Sequence, residues 1–268
     1  MTDASAWSRA AVSGRRVGHT VEHHGSLGST NDRAREALAE PGGEGRAVVA
    51  DHQSAGRGRR GRQWLSPPGH NLMVSVALRP RIEPARAGLL GIAAAVATRD
   101  ACEAAVPRAG LLLRWPNDVV TGDGLKVAGL LVDTALADDR LADAVVGIGI
   151  NVNWRRAEMP AEIVERATSL ADLAGPELDR VALLATLLDA LDREVVALES
   201  GASPVARFAE VSALDGRQVE VQVGEERLEG MAAGVAEDGA LLLDVPAGRL
   251  ALTVGEVVAV RDPAGAAA

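Results

Sequence analysis

Residues 56–62 read GRGRRGR, so Arg57, Arg59, Arg60 and Arg62 are interleaved with Gly56, Gly58 and Gly61, and Trp64 follows two residues later. A guanidinium presents a planar fork of donors that matches carboxylate and phosphate oxygens. Glycine frees the backbone to bend and brings its amides close to a ligand. The segment is too glycine-rich for a stable helix or strand and reads as a loop that closes over an anion. A solvated turn and a nucleic-acid patch share the same composition, and the segment alone leaves them open. The formal charge of −9 on the whole chain weighs against nucleic acid.

Three other stretches carry chemistry. The chain has 27 arginines and a single lysine, Lys126. A GC-rich genome would produce that bias, but a lysine that survives it suits a site needing a compact ammonium beside an anion. In RWPNDV (114–119), Asn117 and Asp118 fall where a turn meets a strand, with Lys126 opening the next strand. A carboxylate, an amide and an ammonium then share one sheet edge, and the carboxylate suits a magnesium ion as well as a simple Asx turn. GIGINVN (147–153) puts Gly147 and Gly149 inside an apolar strand and predicts Asn151 and Asn153 on one face. Glycine weakens a strand unless something must come close or the strand bulges. GSTN (28–31) reads as a helix cap, Ser29 and Asp32 having the spacing of a capping box, and its hydroxyls also suit a polar ligand.

The elements that must position these residues are legible from period and punctuation. Residues 28–40 predict a short helix ended by Gly42-Gly43; 46–51 and 71–78 predict buried strands joined by the arginine loop; 85–106 predict an apolar core helix. Residues 111–115, 126–136 and 144–153 read as strands, with 116–124 as a turn, and 180–200 and 204–214 read as helices. These predict one mixed sheet with a helix behind it. From residue 217 the texture changes to four or five short alternating strands, a small barrel. Residues 1–20 are polar and aperiodic and read as a frayed extension.

A chain of 268 residues, 47% hydrophobic and 24% charged, is ordinary globular material for one core or two unequal domains. No apolar run reaches the length of a membrane span, and the N-terminus lacks a signal-peptide core. The lone Cys102 excludes an internal disulfide and a cysteine zinc site, which fits a reducing cytoplasm.

GSTN, Gln53 with AGRGRRGRQW, WPND, KVAGLLVD and GIGINVN, in this order, resemble the biotin–protein ligases over roughly residues 26–262. The resemblance implies an α+β fold: a mixed β-sheet flanked by helices, like the class II aminoacyl-tRNA synthetases and the biotin–lipoate ligases, with a small C-terminal SH3-like β-barrel. It implies an extension over 1–20, a catalytic domain over 21–214 and the barrel over 215–268, in the monofunctional form without a DNA-binding domain. The implied reaction makes biotinyl-5′-AMP from biotin and ATP with Mg²⁺, then passes biotin to a lysine of a biotin carboxyl carrier domain such as that of acetyl-CoA carboxylase.

The implied partners are biotin, ATP and that carrier, with no DNA and no membrane; a homodimer is left open. By motif, Lys126, Arg57 and Arg59 would be catalytic. Ser29, Thr30, Asn31, Gln53, Arg57, Gly58, Arg59, Lys126, Gly129 and Gly149 would bind biotin. Trp64, Asn117, Asp118, Lys126 and Asn151 would bind ATP, and Asp118 would meet Mg²⁺. Arg114 stands where the family often has lysine. A lipoate–protein ligase would share the adenylation logic, and a nucleic-acid module is the non-enzymatic competitor. GRGRRGR-x-W favours biotin.

Overall fold

A computed structural model of the protein describes residues 4–261; the outermost residues of the N-terminal extension and of the C-terminal barrel lie outside these. In chain order the main elements are α1 (Ala4–Ser8), β1 (Val21–His24), α2 (Thr30–Ala37), β2 (Ala47–Ala50), β3 (Leu72–Leu78), α3 (Ala87–Ala105), β4 (Leu112–Arg114), β5 (Asp118–Val120), β6 (Lys126–Ala137) and β7 (Arg140–Ile150). Then follow α4 (Ala161–Val164), α5 (Leu170–Ala174), α6 (Arg180–Glu199), α7 (Val205–Glu210) and five strands, β8 (Gln218–Val223), β9 (Glu226–Val235), β10 (Leu241–Val245), β11 (Gly248–Leu252) and β12 (Glu256–Arg261).

β1 to β7 form one mixed sheet in the order β1-β2-β3-β7-β6-β5-β4, with β1 and β2 parallel and every other pair antiparallel. Every residue of β3 is buried, as a central strand covered on both faces requires. Its two faces differ in kind. Leu72, Val74, Val76 and Leu78 join the main core with Val146, Ile148 and Ile150 of β7 and the buried faces of α3 and α6. The alternate residues turn toward α2, where Ala77 packs with Ala34 and Leu38 and Ser75 meets Thr30 and Asn31. Helix α6 starts where the Asp179 carboxylate accepts from the amides of Val181 and Ala182. No helix among the described residues is long and apolar enough to cross a membrane.

β8 to β12 form a five-stranded antiparallel sheet, order β11-β10-β9-β8-β12, consistent with an SH3-like domain. Val219, Val221, Ala232, Leu241 and Leu243 belong to the same continuous core as the larger sheet. Trp115, 3% exposed, is the seam: its indole N–H donates to the Gly239 carbonyl at 3.0 Å.

Four expectations need correction. The N-terminal extension is not frayed over its described part: Trp7 is fully buried, stacked on His23 at 5.3 Å with the Arg180 guanidinium 5.2 Å from its ring. One buried aromatic in a polar stretch leaves no periodic signal. Asp118–Val120, expected as turn, is strand β5, because it pairs with both β4 and β6. Four-residue β1, VEHH, was absent from the predicted elements because two histidines disguise it. Strand β7 stops at Ile150, so Asn151 and Asn153 lie beyond it.

Candidate active site

One cavity of about 460 Å³ opens on the α2 side of the large sheet, and all the predicted site residues border it: Ser29, Thr30, Asn31, Gln53, Arg57, Gly58, Arg59, Trp64, Asn117, Asp118, Lys126, Gly129, Gly149 and Asn151. Arg114, Met73, Leu131 and the β12 residues Glu256–Val258 complete it.

At one end lies the start of α2. Ser29 is the helix N-cap in extended conformation, but its side chain caps nothing, which corrects the capping-box reading. Gln53 takes that role from a distant loop: its Oε1 accepts from the Thr30 amide at 2.7 Å and from the Thr30 hydroxyl at 3.0 Å. Ser75, which sequence reasoning missed, donates to Asn31 Oδ1 at 2.6 Å and sits 2.7 Å from Thr30 Oγ1. A Cβ on Gly147 would stand 2.1 Å from Asn31 Oδ1, so that glycine admits Asn31. Ser29, Thr30 and Asn31 are thus buried polar groups, the last two held by side-chain hydrogen bonds, and together they form a polar end wall.

At the other end lies the charge. Lys126 Nζ is 2.6 Å from Asp118 Oδ1, and Arg114 Nη2 donates to Asp118 Oδ2 at 2.9 Å across the β4–β5 turn. Burial pushes the Asp118 carboxyl up, but Lys126 and Arg114 outweigh burial and hold it below the ordinary carboxylate range. Arg59 reaches Asn117 Oδ1 at 3.4 Å, and burial lowers its guanidinium pKa against the opposing pull of Asp118 and Glu256. Arg57 pairs with Asp32 at 2.5 Å. Three cations, Arg57, Arg59 and Lys126, therefore share one cavity, as anion capture requires.

Between the ends, the Trp64 indole rests on the sheet. Cβ atoms built on Gly149 and Gly129 would lie 2.6 Å and 3.1 Å from it, and one on Gly129 would also lie 2.6 Å from Lys126 Nζ. The two glycines, paired across β6 and β7, open a floor that any larger residue would fill. Lys126 Nζ is 5.6 Å from the indole centroid, and the indole N–H has no acceptor among the described residues.

Two predicted residues are committed to the backbone. Asn151 Nδ2 donates to the Thr168 carbonyl at 3.1 Å and lies 3.4 Å from that of Lys126. Asn117 Nδ2 donates to the Leu130 carbonyl at 2.5 Å. Asn153, off the cavity, is tied to Leu178 through both ends of its amide. Both Asp118 oxygens, expected to meet magnesium, face cations here, and among the described residues no three His, Cys, Asp or Glu side chains cluster as a metal site.

Comparison with known proteins agrees with this geometry. Residues 26–151 match the Biotin/lipoate A/B protein ligase family, and residues 216–259 match the Biotin protein ligase C terminal domain. The chain is 35% identical to the biotin–[acetyl-CoA-carboxylase] ligase of Paracoccus denitrificans, over 86% of this chain and 98% of that one. It is 33% identical to the ligase of the same name from Mycobacterium tuberculosis, over 87% and 86%. The solved biotin protein ligase of Aquifex aeolicus in complex with biotin and ATP superposes with a TM-score of 0.76 at 30% identity, covering 91% of this chain and 99% of that one. With so large a share of each relative matched, and with the motif residues gathered around one cavity, the chain belongs to the biotin protein ligase family.

Proposed function

We infer that this chain is an ATP-dependent biotin–protein ligase. It joins biotin to ATP, giving biotinyl-5′-AMP and pyrophosphate, and then passes the biotinyl group to a lysine of a biotin carboxyl carrier domain. The observation that carries the reading is the gathering of Arg57, Arg59 and Lys126 around one cavity whose far wall is Ser29, Thr30, Asn31 and Gln53. In this reading the polar wall takes the biotin head group by hydrogen bonds, and its tail takes the space above Gly129 and Gly149 once the Trp64 indole lifts from it. The carboxylate then lies beside Lys126. A carboxylate and a triphosphate repel, and Lys126, Arg57 and Arg59 offset that repulsion and the charge that grows on the α-phosphate as pyrophosphate leaves. Asp118, 2.6 Å from Nζ, aims the Lys126 ammonium. Asn117 and Asn151 border the nucleotide side, and the Trp64 indole closes over the reacting groups. In the second step the carrier amine attacks the acyl carbon and AMP departs. Closure of the arginine loop excludes water from the mixed anhydride in the interval.

Magnesium, in this proposal, arrives on the phosphate oxygens of ATP with its own waters, and no step is assigned to it here. A division of the chain near residue 214 belongs to the same proposal: most of the cavity comes from 21–214, and the C-terminal sheet contributes Glu256–Val258. The test is mass spectrometry of a carrier domain incubated with this protein, ATP, Mg²⁺ and biotin, with lipoate as the control. One biotinyl mass added per carrier supports the reading; no added mass, or lipoylation in its place, overturns it.

A further inference from the structure

The four loop arginines do not act alike. Arg57 and Arg59 turn toward the cavity, to Asp32 and Asn117. Arg60 and Arg62 reach instead to the C-terminal sheet, Arg62 from the rim of the same cavity. Arg62 Nη1 lies 2.6 Å from Glu256 Oε1, Arg60 Nη1 lies 3.7 Å from Glu256 Oε2, and Arg60 Nη2 donates to the Gln222 carbonyl at 2.9 Å. The backbone makes this division. Residues 59–61 form a short 3-10 turn in which Arg60 has φ 56° and ψ 36°, a left-handed conformation that is uncommon for a residue with a side chain. The loop is closed at its base, where Gly58 donates to the Arg62 carbonyl at 2.7 Å and Arg57 pairs with Gln63. These contacts tie it into one hairpin, so whatever holds Arg60 and Arg62 holds Arg57 and Arg59.

We propose that Glu256 is a positioning residue of the ligase: it latches Arg60 and Arg62, keeps Arg57 and Arg59 over the cavity, and lets the C-terminal sheet set how long biotinyl-5′-AMP is retained. The retention half rests on the function proposed above; the latch itself does not. Glu256 begins strand β12, the edge of its sheet and the neighbour of β8, which carries Gln222, so both outer contacts come from one rigid pair of strands. Half-exposed ion pairs are modest individually, and the latch sets a several-fold effect rather than an absolute lock.

The test uses the full chain with Glu256→Gln, Arg62→Gln and the double variant. The first readout is escape of preformed radiolabelled biotinyl-5′-AMP on dilution. Each single variant should release it about two- to fivefold faster, as fits an ion-pair tether, and the double variant should match the singles. The second readout needs no ligand: trypsin cleavage after Arg57 and Arg59 in free Glu256→Gln should quicken by a similar factor, while the thermal midpoint stays close to that of the parent. Unchanged release and cleavage in a folded Glu256→Gln overturns the latch, and so do effects of the two single variants that multiply in the double. Should Glu256→Gln fail to fold, Arg62→Gln, which alters only the loop, carries the release test. If the parent protein forms no adenylate, the functional reading fails, and the trypsin comparison still decides the latch.

Discussion

The two faces of the large sheet are built from the same strands to opposite ends. On one face, Leu72, Val74, Val76, Leu78, Val146, Ile148 and Ile150 interlock with α3 and α6. On the other, the alternate positions are Met73, Ser75, Gly147 and Gly149, and a cavity replaces the helix layer over much of their length. The two-residue period of a strand makes this possible, since neighbouring side chains never share a face. The first face supplies stability through apolar burial. The second gives up burial for room and fixed polar groups, and relies on the first to keep the backbone in place.

The comparison can be broken at single residues. The largest effect falls at Lys126 on the cavity side. Lys126→Ala should reduce adenylate formation by about 10²–10³-fold, the cost of removing one charge-stabilising donor, with little change in thermal midpoint; near-normal biotin-dependent pyrophosphate exchange would contradict it. Ile148→Ala, at the residue before Gly149 in β7 and on the opposite face, should do the reverse. It should lose about 2–5 kcal/mol of unfolding free energy in denaturant titration while the folded protein keeps its biotin affinity. Gly149→Ala returns to the cavity side, where the new methyl collides with Trp64. It should weaken biotin binding by about 1–3 kcal/mol, the cost of overpacking, as read by calorimetry, and leave the denaturation midpoint nearly unmoved.

The smallest effect is a silence. Burial, with some help from Glu103, pushes the Cys102 thiol up to about 12. The reactive thiolate is favoured only above that value, so a thiol reagent at pH 8 should leave the native protein unmodified and label it once it is unfolded. Rapid labelling of the native protein would show the core face to be less tightly closed than described.

The sequence disclosed the cavity better than it disclosed its supports. Lys126, Asp118 and the loop arginines were legible because charge and glycine interrupt apolar strands. Gly147 and Gly149 were legible for the same reason, although only the structure distinguishes their tasks, one admitting Asn31 and the other the Trp64 indole. Ser75 was hidden in NLMVSVAL, yet a lone hydroxyl in a strand buried on both faces is a signal that could have been taken. The double grip of Lys126 and Arg114 on Asp118 was not legible, since it depends on how β4, β5 and β6 register. The reach of Arg60 and Arg62 to the C-terminal sheet was hidden too: four arginines in a row of glycines look equivalent until the fold gives them different partners.

The stack of Trp7 on His23 bears on anyone who trims this protein. The matched ligase region opens at residue 26, and a shortened gene starting there would look complete by alignment. It would strip the indole from above Arg180 and leave that guanidinium, with its Asp51 partner at 2.9 Å, beside a hole where an aromatic ring had been. Asp51 lies two residues before Gln53, so the damage would start next to the polar end wall of the pocket. Pruning the leading residues for crystallisation or tagging is therefore a change to the enzyme's interior.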